Sequence, residues 1–107
     1  MQDITVQELK ERMDAGTAPI MIDVREPFEW DMNHLDGVQK ISMGDIPAKV
    51  SDLADWKDKE LVIVCRSGGR SGRISEFLRQ EGFSNIRNLT GGMLAWKRDI
   101  DSSFNVE

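Results

Sequence analysis

Cys65 is the only cysteine of the chain, and Arg66, Ser67, Gly68, Gly69, Arg70 and Ser71 follow it directly. A thiol set among guanidinium groups is an expected nucleophile, because positive neighbours favour the thiolate. Glycine accepts backbone dihedrals that other residues avoid, so a Gly-Gly loop can turn successive N–H groups inward as an anion cradle. Upstream, Val62-Ile63-Val64 is an apolar β-branched run; downstream, Ile74, Phe77 and Leu78 fall at i, i+3 and i+4. The order is therefore buried strand, tight polar loop, helix. A helix N-terminus adds unpaired N–H groups and the positive end of its dipole to the same spot. This pattern places Cys65 at the rim of the cradle, with a thiolate and a bound anion side by side.

A cysteine that ends an apolar strand is ordinarily an inert core residue; the loop after Cys65 turns that expectation towards a reactive thiol. Arg66 and Arg70 are the candidate anion binders, with Arg70 favoured because it closes the loop. Ser67, Gly68, Gly69 and Ser71 supply the remaining loop contacts, and Arg73 reads as an exposed helix residue. His34 is the only imidazole. Asp23 and Arg25 read as an ion-pair network supporting the loop, and Trp30, Trp56 and Trp96 as packing residues.

The elements that position this loop follow from local pattern. Thr5-Val6-Gln7-Glu8 reads as a capping box opening a helix with Val6, Leu9 and Met13 on one face, stopped by Gly16. Ile20 to Val24 reads as a buried strand. Pro27 suits the first turn of a short helix carrying Phe28 and Trp30. A brief strand is expected over Val38 to Ile41. Asp45 is placed to cap a helix bearing Pro47, Ile46, Val50 and Leu53. Asp55 to Glu60 reads as a charged loop, Leu61 to Val64 as the second strong strand and Ile86 to Leu89 as the last. Gly82 closes the helix after the cysteine loop, and Gly91-Gly92 leads into a helix with Leu94 and Trp96. Strands that alternate with helices predict a mainly parallel sheet with helices on both faces, whose ligands bind outside the carboxyl ends of the strands.

The chain has 107 residues, 39% hydrophobic and 31% charged, which fits one globular domain over residues 1–107. A net charge of −5 argues against nucleic acid or an anionic membrane as partner. From Cys65 to Arg73 there are three arginines and no acid, a local reversal that suits a small anionic substrate. One cysteine and one histidine make neither an internal disulfide nor a structural metal site, so no metal or cofactor is expected. No apolar stretch is long enough to span a membrane and no signal sequence is evident, so the cytoplasm is expected.

Two blocks resemble the rhodanese-like sulfurtransferases. One is Asp23-Val24-Arg25-Glu26-Pro27-Phe28-Glu29-Trp30, continuing to His34-Leu35-Asp36-Gly37; the other runs from Cys65 through Gly82-Phe83, Asn85-Ile86 and Leu89 to Gly91-Gly92 and Ala95-Trp96. Asn33 stands where that family usually has Gly, and Asp36 where it often has Pro. The resemblance implies a three-layer α/β fold, with a five-stranded mainly parallel sheet flanked by helices. It also implies a persulfide mechanism. Cys65 would take sulfane sulfur from a small anionic donor such as thiosulfate and pass it to a nucleophilic acceptor, a thiol or a sulfur-carrier protein. Arg66 and Arg70 would hold the donor, and N–H groups from Arg66 to Ser71 the persulfide. It places His34 in a structural turn. Ala95 to Ser102 and Ser42 to Ala48 are also similar to rhodanese domains fused to the adenylating enzymes of sulfur carriers.

Two other functions fit the same loop. Cysteine-dependent phosphatases, some of this fold, separate Cys from Arg by five residues; here four residues separate Cys65 from Arg70, a tighter loop suited to a single sulfur. Rhodanese-like domains without a working cysteine act as binding or regulatory modules, and retention of Cys65 in an intact loop argues against that.

Overall fold

The structure, a computed structural model, describes residues 3–106. Its first helix starts where the sequence places it. The Thr5 hydroxyl accepts the Glu8 backbone N–H at 3.1 Å, while the Glu8 carboxylate accepts that of Thr5 at 3.1 Å. This satisfies two of the orphan donors at the start of α1, Val6–Asp14. β1, Ile20–Asp23, leads to α2, Pro27–Met32, and then to β2, Gln39–Lys40. α3, Ile46–Lys49, runs on in 3-10 turns over Val50–Trp56, which shortens the expected charged loop. Asp45 takes the N-cap position of α3 without a side-chain cap bond, because the chain is already turning there in a 3-10 turn, Met43–Asp45. β3, Leu61–Val64, is followed by α4, Gly69–Gln80, then β4, Ile86–Asn88, and α5, Gly92–Asp99.

The strands pair in the order β2-β1-β3-β4, all parallel. The sheet thus has four strands among the described residues, where the resemblance implied five. At the edge beyond β4 the described residues make a single parallel bridge, Ile4 to Leu89. There the Ile4 N–H donates to Asn88 O at 3.0 Å and the Thr90 N–H to Ile4 O at 2.9 Å. The reason is local: Thr5 leaves the edge to cap α1, so the helix takes the residue that would extend a strand. β2 is likewise two residues long, shorter than Val38 to Ile41.

Strand side chains alternate between two cores. Met21, Val62 and Val64 pack with Leu9, Met93 and Trp96 under α1 and α5. Ile22, Leu61 and Ile63 pack with Ile46, Ile74 and Leu78 under α3 and α4. Each fully buried aliphatic side chain contributes roughly 1.5–3 kcal/mol. The register sets Asp23 beside Val64 and Ile63 beside Asn88, so Asp23, Cys65 and Asn88 end up together at the carboxyl ends of the strands. Among the described residues no helix is long and apolar enough to cross a membrane.

Candidate active site

Cys65 is the residue after β3, and its thiol lies under the loop that leads into α4. The residue is wholly buried, packed with the α3–α4 core, so it forms the floor of the cradle and not its rim. The correction has a clear cause. The first turn of α5 comes down on the loop: the Met93 N–H donates to Cys65 O at 2.8 Å and the Leu94 N–H to Arg66 O at 2.9 Å. Orphan donors of one helix thereby hold the carbonyls that open the loop.

That approach needs glycine. A Cβ on Gly92 would lie 2.5 Å from Cys65 O, and its φ of +58° is left-handed. Gly68, at φ +101°, turns the loop so that its own N–H donates to Cys65 Sγ at 2.9 Å. The Ser71 hydroxyl stands 3.2 Å from the same sulfur. Ser71 is held in turn by the Asn88 side chain, whose Oδ1 accepts from the hydroxyl and whose Nδ2 donates to Gly68 O at 3.2 Å. Thus β4 braces the loop from the side, and α4 begins at Gly69 with its first turn facing the thiol.

The two arginines differ. Arg66 and Ser67 are exposed. Arg70 is turned to α2, where Nη1 and Nη2 donate to the two carboxylate oxygens of Glu29 at 2.7 and 2.8 Å. Glu29 is almost buried, and its Oε1 also accepts the Glu26 N–H at 3.0 Å as the second half of a capping box. The Arg70 hydrogen bonds hold the Glu29 carboxyl below the usual range against the opposing cost of burial. The same pair, with the charges of Glu29 and Cys65, holds Arg70 more firmly protonated. Arg73 is exposed on α4, as its position predicts.

Asp23 and Arg25 form the expected ion pair, bidentate and fully buried, with distances of 2.9–3.0 Å. Arg25 reaches further, to Asn33 O at 2.7 Å, and so ties the end of β1 to the end of α2. His34 stacks on Trp30 with ring centres 3.7 Å apart, and its Nδ1 donates to Trp30 O at 3.1 Å, a structural pairing. Asn33 has φ −163°, extended backbone with no need for glycine, and its Oδ1 accepts the Asn105 N–H.

Sequence reasoning missed Glu29 and Asn88 as parts of this site. Glu29 carried one signal, its place three residues after Glu26 at the head of a Pro-initiated helix. Asn88 carried none. Among the described residues no group of three His, Cys, Asp or Glu is gathered as a metal site would need.

A parallel α/β sheet with a buried cysteine under a helix-starting loop defines the class. The profile described as Rhodanese-like domain matches residues 5–99, and the chain belongs to that family. YtwF of Bacillus subtilis (strain 168) is 40% identical over 97 residues, 91% of each chain. A protein named Sulfurtransferase from Allochromatium vinosum is 32% identical over 98 residues, 92% of this chain and 90% of that one. The adenylyltransferase and sulfurtransferase MOCS3-2 of Zea mays is 32% identical over 108 residues, covering 96% of this chain but 22% of its own length. The crystal structure of SSP1007 from Staphylococcus saprophyticus superposes with a TM-score of 0.80, at 33% identity, over 100% of this chain and 99% of that one. Sulfurtransferase is the activity for which such relatives are named.

Proposed function

We propose that residues 1–107 act as one sulfurtransferase domain that carries sulfane sulfur as a persulfide on Cys65. The observation that supports this best is the Gly68 N–H donated to Sγ at 2.9 Å, with the Ser71 hydroxyl 3.2 Å from the same sulfur, at the N-terminus of α4. In loading, the Cys65 thiolate attacks the outer sulfur of the donor. The Sγ–S bond forms as the donor S–S bond breaks, and the electron pair of the broken bond leaves on the donor fragment, sulfite when the donor is thiosulfate. In discharge, an acceptor nucleophile attacks the outer sulfur and Cys65 departs as thiolate. The outer sulfur stands one S–S bond, about 2 Å, beyond the buried Sγ, among the loop N–H groups from Arg66 to Ser71. Donors aimed at that anion act as an oxyanion hole does. Arg66 and Ser67, on the exposed stretch of the loop, meet the incoming donor, while Arg70 borders the loop in its pair with Glu29. A thiol accepts the sulfur, or the adenylated C-terminus of a sulfur carrier, given the similarity of residues 42–48 and 95–102 to the fused domains. A reducing cytoplasm keeps the single cysteine free for this role.

Intact-mass analysis after exposure to thiosulfate, polysulfide or a persulfidated cysteine desulfurase tests the reading. A gain of one sulfur, absent in Cys65→Ser, is expected from at least one donor. No gain from any of the three would leave a binding module, and steady aryl-phosphate hydrolysis that depends on Cys65 would leave a phosphatase.

A further inference from the structure

Arg70 has the charge and the planar fork to clamp a sulfonate-like donor, and it is spent elsewhere. Nη1 and Nη2 both donate to Glu29, whose side chain is only 6% exposed while that of Arg70 is 30% exposed. Glu29 is anchored from a second direction by the Glu26 N–H at the head of α2. Turning Arg70 towards a donor would strip a buried carboxylate of its counter-charge, which is among the costlier changes a fold can undergo. The pair is also neutral overall, so the attraction that Arg70 would offer a dianion is cancelled a few ångströms away.

We infer that Glu29 selects the class of sulfur donor: by holding Arg70 it makes the site poor at free dianions such as thiosulfate and leaves loading to persulfide donors that need no guanidinium clamp. This rests on the persulfide reading above. With such a donor the Cys65 thiolate attacks the terminal sulfur of R–S–SH. The Sγ–S bond forms, the donor S–S bond breaks, and R–S⁻ leaves with the electron pair while the proton stays on the transferred sulfur. The departing group is a thiolate with a single charge, in place of the dianionic sulfite that thiosulfate releases, so it makes no comparable demand for a guanidinium clamp. Glu29 is a positioning residue here, acting through Arg70.

Loading rates of Cys65, read by intact mass, would be compared for thiosulfate and for cysteine persulfide in the native chain, in Glu29→Gln and in the double variant Glu29→Gln with Arg70→Met. One charge-assisted hydrogen bond freed for the donor raises the thiosulfate-to-persulfide efficiency ratio about tenfold in Glu29→Gln, through KM for thiosulfate and not kcat. The double variant returns that ratio to within about twofold of the native chain, because native Arg70 gives the donor no hydrogen bond to lose. An unchanged ratio in Glu29→Gln would overturn the inference, as would a double variant with a ratio tenfold below native, which would show Arg70 already on the donor. Should Glu29→Gln fail to fold, the double variant, with neither charge of the pair left, decides alone. If the native chain is loaded by neither donor, nor by polysulfide or a persulfidated cysteine desulfurase, the persulfide reading itself fails.

Discussion

Gly92 is where two separate stretches of backbone come closest. The start of α5 donates to the carbonyls of Cys65 and Arg66, and a methyl group at position 92 would collide with both residues. Gly92→Ala therefore combines a left-handed dihedral with a backbone clash, and should cost at least about 2 kcal/mol. Urea denaturation measures that loss, and sulfur loading should fall with it because the loop can no longer close over the thiol. Cys65 itself is expected to behave differently. Its thiol packs in the α3–α4 core, so Cys65→Ala removes a small buried volume, at about 1 kcal/mol by the lower end of core truncations. Loading should vanish while the far-UV spectrum and a cooperative melt remain. Loading at the native rate in Cys65→Ala would rule out the persulfide.

At the scale of elements, the Asp23–Arg25 pair fastens the end of β1 to the end of α2, the helix that carries Glu29. Both charges are fully buried, and Arg25 also holds Asn33 O. Arg25→Ala leaves a buried carboxylate without its partner and should destabilise by about 3–5 kcal/mol. The paired replacement Asp23→Leu with Arg25→Met should cost less than that single change, because no lone charge remains; chemical denaturation of the two variants checks the order. These elements also show which parts of the molecule could be read from sequence. α1, β1, β3 and the cysteine loop declare themselves within a few residues, through a capping box, β-branched runs and a glycine pair. The Arg70–Glu29 contact joins residues 41 apart, and Ser71 meets Asn88 across 17, so no local pattern announces either. The depth of Cys65 was hidden for the same reason, since it depends on α5 descending from the far end of the chain. The edge strand absent among the described residues reflects a contest between neighbours: Ile4 pairs with Leu89, and the cap at Thr5 turns the chain into α1.

Across the whole molecule the cysteine loop and the main surface ion network lie at opposite ends of the sheet. Glu60 precedes β3 and gathers Arg12 of α1, at 2.7 and 3.2 Å, and Arg87 of β4, at 2.7 Å. It thus ties a helix and an outer strand to the amino end of the central strand, while Cys65 follows the carboxyl end. The Arg12 hydrogen bonds, helped by Arg87, hold the Glu60 carboxyl below its usual 4.5, in opposition to partial burial. A carboxyl that is depressed in the folded state binds its proton more readily when unfolded. Its contribution to stability is therefore complete above about pH 5 and is lost as the pH falls through its folded value, below 4.5. Glu29, depressed by Arg70, adds to the same acid-side loss. Glu60→Gln should lower stability at pH 7 by about 1 kcal/mol, since the network is bidentate but partly in water. That deficit should shrink towards zero as the native chain is titrated to about pH 3, and shrink also at 1 M salt, where the Debye length is about 3 Å. Equilibrium denaturation at each pH and salt concentration reads the first effect. Cys65 loading at pH 7 reads the second consequence of the layout: a charge removed at the amino end of the strands should leave the loading rate as it was, whereas a fall matching that of Gly92→Ala would show that the two ends of the sheet are coupled.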